Sequence, residues 1–369
     1  LAPLPLGPCP ATLTTQACEL AVRTESGLEA KPDEVVRFFA IGDAGVADAS
    51  DPAMLGATTE YVAWLTDHVC ARRGGCDFGV FLGDNVYEVG LASPEKQAFL
   101  ERFAQRYSAE WTRPLYFVLG NHDYHPVVPS QARAEAELLW VEALGKAHHG
   151  MVRGRSHFFG FSAGPVDLFA WDTNHLVRGC EASPGGTPDC VAAGDDALRA
   201  LQSSRAPFRI WLGHHPYWSN GEHGDAGDFE DGGFSLWRGA GYQQLMREHV
   251  VGRADLAISG HDHNLQAFEH KGTALLVSGA GAKSTALRPP SRRSPSLYQA
   301  DQVLGLALIE ASSKQLTVEL YAAPAKTVDG KLVPPSKSDD VERLMKETLR
   351  FRMSRQIGQS WVVDDGVGE

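Results

Sequence analysis

Five short apolar runs in this chain each end in glycine and a side chain able to bind a cation. They lead into Gly42-Asp43-Ala44-Gly45, Gly83-Asp84-Asn85-Val86-Tyr87, Gly120-Asn121-His122-Asp123, Gly213-His214-His215-Pro216 and Gly260-His261-Asp262-His263. Glycine lets a backbone turn sharply and approach an ion closely. Any one of these turns is ordinary: Asn121 alone is a turn residue and Tyr87 alone an interface aromatic. Five in one chain, together offering Asp, Asp, Asn, His and His-x-His, are hard to explain by packing. The chemistry they suit is that of a two-metal centre. Asp84 can bridge two cations through its two oxygens. Two Lewis acids roughly 3.5–4 Å apart then clamp the attacking and leaving oxygens of a phosphoryl displacement and activate water.

The elements that must position these residues follow from the apolar pattern. Strands are predicted at 35–41, 78–82, 115–119, 208–212 and 256–259, each delivering one turn at its carboxyl end, where α/β proteins place ligands. Helices are predicted at 52–72, at 94–107 with Ser93 as cap and Pro94 in the first turn, and at 131–144. Further strands are expected at 157–161, 166–171 and 274–277. A hairpin is expected from 304–310 and 315–321 around Ser312-Ser313-Lys314. Strands alternate with helices early and come in runs later, which predicts an α/β domain of two packed sheets with helices outside. Residues 1–34 read as an N-terminal extension or a small strand pair, 35–325 as the domain, and 326–369 as a C-terminal tail whose helical spacing over 339–355 predicts a helix packed on that domain.

The 369 residues carry a formal net charge of −12, which disfavours nucleic acid as a partner. No apolar run is long enough to span a bilayer. Cys9, Cys18, Cys70, Cys76, Cys180 and Cys190 form three close pairs without a C-x-x-C metal pattern. Three local disulfides in an oxidising compartment are expected, although six cysteines allow fifteen connectivities. The Pro-rich start reads as a mature end, which together with the cysteines predicts a secreted or periplasmic protein. Oligomeric state is left open.

With the five blocks in order, the chain resembles the calcineurin-like metallophosphoesterases, whose pattern is D-x-G, GD-x-x-Y, GNH-D/E, x-x-GH and GH-x-H. Within them it looks like the short, animal-type purple acid phosphatases. The resemblance spans Asp43 to His263 and is closest at Gly83–Tyr87, Gly120–Asp123 and Gly260–Gln266. Most of the wider family carries Asp-x-His in the first block; here the third position is Gly45, and Tyr87 supplies the substitute ligand. A phenolate is hard and anionic, and its free pKa of about 10 requires a strongly charged ion to keep it deprotonated.

The resemblance implies a four-layer α/β/β/α sandwich of two mixed sheets with the metal site at the carboxyl ends of the strands. It implies that Asp43, Tyr87 and His263 bind Fe(III), that Asp84 bridges, and that Asn121, His214 and His261 hold a second, divalent ion. Fe, Zn and Mn all suit that set. The neighbouring His215 competes with His214, which is preferred because family members place the ligand directly after glycine. His122 and His223 are the implied contacts to phosphate and leaving group. The implied activity is acid phosphatase action: small phosphomonoesters hydrolysed by hydroxide on the Fe(III)–M(II) pair. The alternatives are a phosphodiesterase with the same metal core and a non-catalytic phosphoryl-binding protein. Asp225, Asp228, Glu230 and Asp231 read as a solvated face, with a place at the mouth of the site that discourages polyanionic substrates as the alternative; Arg288, Arg292 and Arg293 read as an exposed loop, with contact to a phosphate as the alternative.

Overall fold

Alternation along each strand sorts its side chains between two cores. Val36, Phe38 and Ala40 join one apolar cluster, whereas Phe39 and Ile41 join another. The computed structural model describes residues 22–24, 35–108, 113–128, 130–148, 158–178, 198–225, 239–290, 294–329, 331–337, 341–364 and 367. An eight-stranded sheet runs in the order β1 (Val22–Thr24), β5 (Phe158–Ala163), β6 (Val166–Trp171), β7 (Phe208–Leu212), β8 (Leu256–Ser259), β10 (Thr273–Ser278), β9 (Leu265–His270) and β11 (Tyr298–Ala300). A seven-stranded sheet runs β17 (Val362–Val363), β16 (Leu349–Gln356), β13 (Gln315–Pro324), β12 (Val303–Ala311), β2 (Val36–Ile41), β3 (Phe78–Leu82) and β4 (Leu115–Val118), and β14 (Lys326–Val328) pairs with β15 (Lys331–Val333) in a separate antiparallel ribbon.

The inner faces of both sheets meet in a shared core that includes Phe38, Val80, Leu82, Leu168, Ile210, Ile258, Leu276 and Ile309. The outer face of the seven-stranded sheet buries Phe39, Phe81 and Phe117 beneath the helices Ala57–Arg72, Pro94–Tyr107 and Gln131–His148. The outer face of the other sheet covers Phe169, Trp171 and Trp211 with Val177, Tyr242 and Met246. Helix, sheet, sheet and helix thus stack in four layers, as the sequence and the resemblance imply. Pro94 opens its helix behind Ser93, whose side chain accepts from the Lys96 amide at 3.5 Å.

One expectation is corrected. The tail is not one helix. Helix Val341–Thr348 gives way to β16, which pairs antiparallel with β13. In Leu349-Arg350-Phe351-Arg352-Met353 the apolar residues alternate, which is the period of a strand. The seven-stranded sheet therefore extends past residue 325 to β17. In addition, the 1–34 extension supplies β1, parallel to β5 at the edge of the larger sheet. Cys70 and Cys76 form a disulfide joining the end of helix Ala57–Arg72 to the start of β3. Cys9, Cys18, Cys180 and Cys190 lie outside the described residues, as do Asp228, Glu230, Asp231, Arg292 and Arg293. Among the described residues no helix is long and apolar enough to cross a membrane.

β2, β3 and β4 are mutually parallel, as are β6, β7 and β8, and the turns after these strands meet at the seam between the sheets. The Gly42 amide donates to Ser278 O at 2.7 Å and the Asp43 amide to Gly83 O at 3.0 Å. A Cβ on Gly42 would sit 2.8 Å from Gly260 Cα, so the first and last turns touch backbone to backbone only because both are glycine.

Candidate metal centre

All nine candidate residues come together at this seam. Asp43 and Asp84 are buried with φ of 60° and 56°, an unusual conformation for non-glycine residues that turns each carboxylate inward at its strand end. Tyr87 Oη lies 2.8 Å from Asp84 Oδ2, 3.0 Å from Asp43 Oδ1 and 3.2 Å from His263 Nε2. His263 Nε2 is 3.5 Å from Asp43 Oδ1. The metal-competent atoms of Asp43, Asp84 and His263 all fall within 4.8 Å of one another. A second group adjoins this one. His214 Nε2 lies 3.0 Å from Asn121 Oδ1, 3.1 Å from His261 Nδ1 and 3.4 Å from Asp84 Oδ1. Asp84 thus offers one oxygen to each group.

The tautomers suit cation binding. His214 Nδ1 is 2.8 Å from Leu82 O, so it must carry the hydrogen, leaving a lone pair on Nε2. That lone pair faces the carbonyl oxygen of Asn121, an arrangement of two acceptors that a cation between them would satisfy. A partner that fixes the far nitrogen of an imidazole is the usual support of a metal-binding histidine. Burial, then the neighbouring histidines His215, His223, His214 and His263, push His261 well below its ordinary pKa and keep it neutral and ligand-ready. Burial opposes a charge on His263, but its hydrogen bond and charge interaction with Asp43 raise its pKa overall. Burial raises the Asp84 carboxyl, but the neighbouring His214 and His122, with the His122 amide and the Tyr87 hydroxyl donating to it, lower its pKa overall. Burial, then Asp43 and Asp84, push the Tyr87 phenol well above its ordinary value. This site therefore holds a phenolate only against a cation of high charge, and the donor set of two carboxylates, a phenol and imidazole fits a hard trivalent ion.

His122 and His223 stand beside different groups. The His122 ring is 4.5 Å from that of Tyr87; the His223 ring is 4.6 Å from His261 and 5.7 Å from His263. His122 donates from Nδ1 to Glu88 O at 2.6 Å. Asp262 fixes the loop carrying His223 by accepting from the amides of His223 and Gly224 at 2.9 and 3.1 Å. His215 has its Nδ1 2.8 Å from Thr173 Oγ1, while His214 takes the position beside Asn121. Asp225 accepts from the Ser219 amide at 2.6 Å, so it secures the loop instead of standing free as part of a solvated face. Arg288 is not simply exposed: its guanidinium fills the space above Gly224, beside His223.

Supports stand behind the candidate ligands; Asp123 and Asp262 read from the sequence as partners of ligands, not ligands, whereas Asn85 and Glu137 carried no such reading. Asp123 accepts from the amides of Gly120, Asp84, Asn85 and Val86 at 2.8–3.0 Å, which gathers two of the ligand turns onto one carboxylate. Asn85 donates from Nδ2 to Glu137 Oε1 at 2.9 Å and Val118 O at 2.8 Å. The repeated glycine-acid turn could have pointed to Asn85, but Glu137 sits in an Ala/Glu-rich helix that offers no such signal.

The family model for calcineurin-like phosphoesterase matches residues 36–265. The chain is similar to purple acid phosphatase 17 of Arabidopsis thaliana, 29% identical over 69% of this chain and 71% of that protein. It is also similar to tartrate-resistant acid phosphatase type 5 of Sus scrofa, 25% identical over 84% of this chain and 89% of the other. In structure it resembles the purple acid phosphatase PPD1 from yellow lupin seeds, with a TM-score of 0.56 and 17% identity. That match covers 82% of this chain and about half, 53%, of the lupin chain.

Proposed function

The chain belongs to the calcineurin-like phosphoesterases, and from that premise we propose that it is an exported acid phosphatase that hydrolyses small phosphomonoesters at a dinuclear Fe(III)–M(II) centre. The observation that carries this reading is the convergence of seven ligand-type side chains into two groups sharing the oxygens of Asp84. Asp43, Tyr87 and His263 would hold the trivalent ion, and Asn121, His214 and His261 the divalent one, which Fe, Zn or Mn would satisfy. When bound, such a pair supplies Lewis acidity that neutralises phosphate charge and acidifies water for attack at phosphorus.

The chain's own residues do the rest. Asp84 fixes the spacing of the two groups. His122, with Nδ1 committed to Glu88 O, has Nε2 left to face a phosphoryl oxygen. His223, beside His261, is the group for protonating the departing alkoxide. The disulfide Cys70–Cys76 supports export to an oxidising compartment.

The test is metal analysis and a visible spectrum of the iron-loaded, oxidised protein, with rates on p-nitrophenyl phosphate and bis-p-nitrophenyl phosphate. A tyrosinate-to-iron band that vanishes in Tyr87→Phe, with faster turnover of the monoester, is expected. A colourless iron-loaded protein removes the Fe(III) assignment, and a faster diester rate replaces the monoesterase reading with a phosphodiesterase.

A further inference from the structure

A cation outside the ligand set stands at the edge of this site. Three successive carbonyls after the β3 turn are each fastened by a basic side chain. Tyr87 O accepts from Lys96 Nζ, Glu88 O from His122 Nδ1 at 2.6 Å, and Val89 O from Arg133 at 2.6 Å. The Glu88 carboxylate therefore projects from a fixed backbone. Its oxygens lie 3.2 and 3.3 Å from Lys283 Nζ, which is 3.5 Å from the centre of the Tyr87 ring. Lys283 comes from a loop tied to the site: the Gly281 amide donates to Gly42 O at 3.1 Å and the Thr285 amide to His263 O at 3.0 Å. The lysine side chain is 26% exposed and the glutamate 67%.

Held, among the described residues, by ring contact and a solvent-exposed carboxylate, an ammonium keeps its charge available, because exposed pairs bind weakly. The same Tyr87 ring is flanked by His122, so an ammonium and an imidazole both lie against the ring of one candidate ligand. A phosphoryl dianion is a stronger partner for an ammonium than a single exposed carboxylate.

Resting on the phosphatase reading above, we propose that Lys283 is a phosphate-binding residue, which exchanges Glu88 for a phosphoryl oxygen when substrate enters. The experiment uses the metal-loaded full chain. It measures the Kd of inorganic phosphate by calorimetry, and kcat and KM on p-nitrophenyl phosphate. Lys283→Met is expected to raise Kd and KM roughly 10-fold, the scale of one hydrogen bond to a charged group. Its kcat should stay within about 2-fold of wild type, since the loss is of binding shared by ground and transition states. Lys283→Arg should restore most of the affinity, and Lys283→Gln, which keeps much of the packing, should behave like Lys283→Met. An unchanged phosphate Kd in both neutral variants overturns the role of Lys283 while leaving the phosphatase reading intact. Wild-type protein that neither binds phosphate nor turns over p-nitrophenyl phosphate overturns both.

Discussion

At the scale of single residues, Asp43, Asp84, Asn121, His214 and His261 each directly follow a glycine, whereas Tyr87 and His263 do not. Asp43, Asp84 and His261 adopt positive φ just after those glycines, so the motif records a real backbone need. Asp123 serves without touching a metal position, through the amides it gathers. Asp123→Ala is expected to cost about 10–100-fold in metal affinity or activity, the usual effect of removing a support behind a ligand; titration of metal against each protein checks it. Glu137 left no mark in the sequence, because a lone acid in a helix looks solvated until its neighbours are known. It is fully buried, and burial pushes its carboxyl up to about 7 from an ordinary 4.5. Asp123 is pushed the same way by burial and by the charge of Glu137. Between those pH values the folded chain holds a proton that the unfolded chain has lost. Stability should therefore fall as pH rises from about 4.5 to 7, by on the order of 3 kcal/mol, with the loss complete above that range. Melting curves of wild type and Glu137→Gln across this range should diverge as pH rises, with the variant the more stable at pH 8.

At the scale of elements, β3, β6, β7 and β8 match their predicted bounds because each is an apolar run ending in a turn signal. β16 was illegible for a definite reason. Met345 and Leu349 keep helical spacing into the strand, whereas Leu349, Phe351 and Met353 begin an alternation that arginines at 350 and 352 disguise as a charged helix. Arg352 and Arg355 then find Glu319 at 3.5 Å and Asp255 at 3.1 Å, partners in remote segments that no local pattern reveals. The junction from helix Ala57–Arg72 to β3 is closed by Cys70–Cys76, six residues apart. Replacing both cysteines by alanine is expected to lower stability by about 2 kcal/mol through added freedom in the unfolded chain. Because this loop lies away from the ligand turns, denaturant unfolding should register the loss while kcat stays unchanged.

At the scale of the whole molecule, the ligand turns come from both sheets. Asp43, Asp84, Tyr87 and Asn121 follow strands of the seven-stranded sheet, and His214, His261 and His263 follow strands of the other. Bound metal would then pin the two layers together at one end of their shared core. Metal at a thousandfold excess over its Kd should add about 4 kcal/mol to stability, and thermal unfolding with and without a chelator checks this. The order of strands in the smaller sheet has another consequence. β2, made early, lies between β3 and β12, pairing Val36 with Ala311 and Ala40 with Ala307. During synthesis every candidate ligand through His263 leaves the ribosome before the segment that seals that flank of β2. The nascent chain thus carries all seven candidate ligands beside a bare strand edge open to wrong pairing. A ribosome stalled before Val303 would expose that edge, and a chaperone reaching β2 there would protect the protein at its most vulnerable moment.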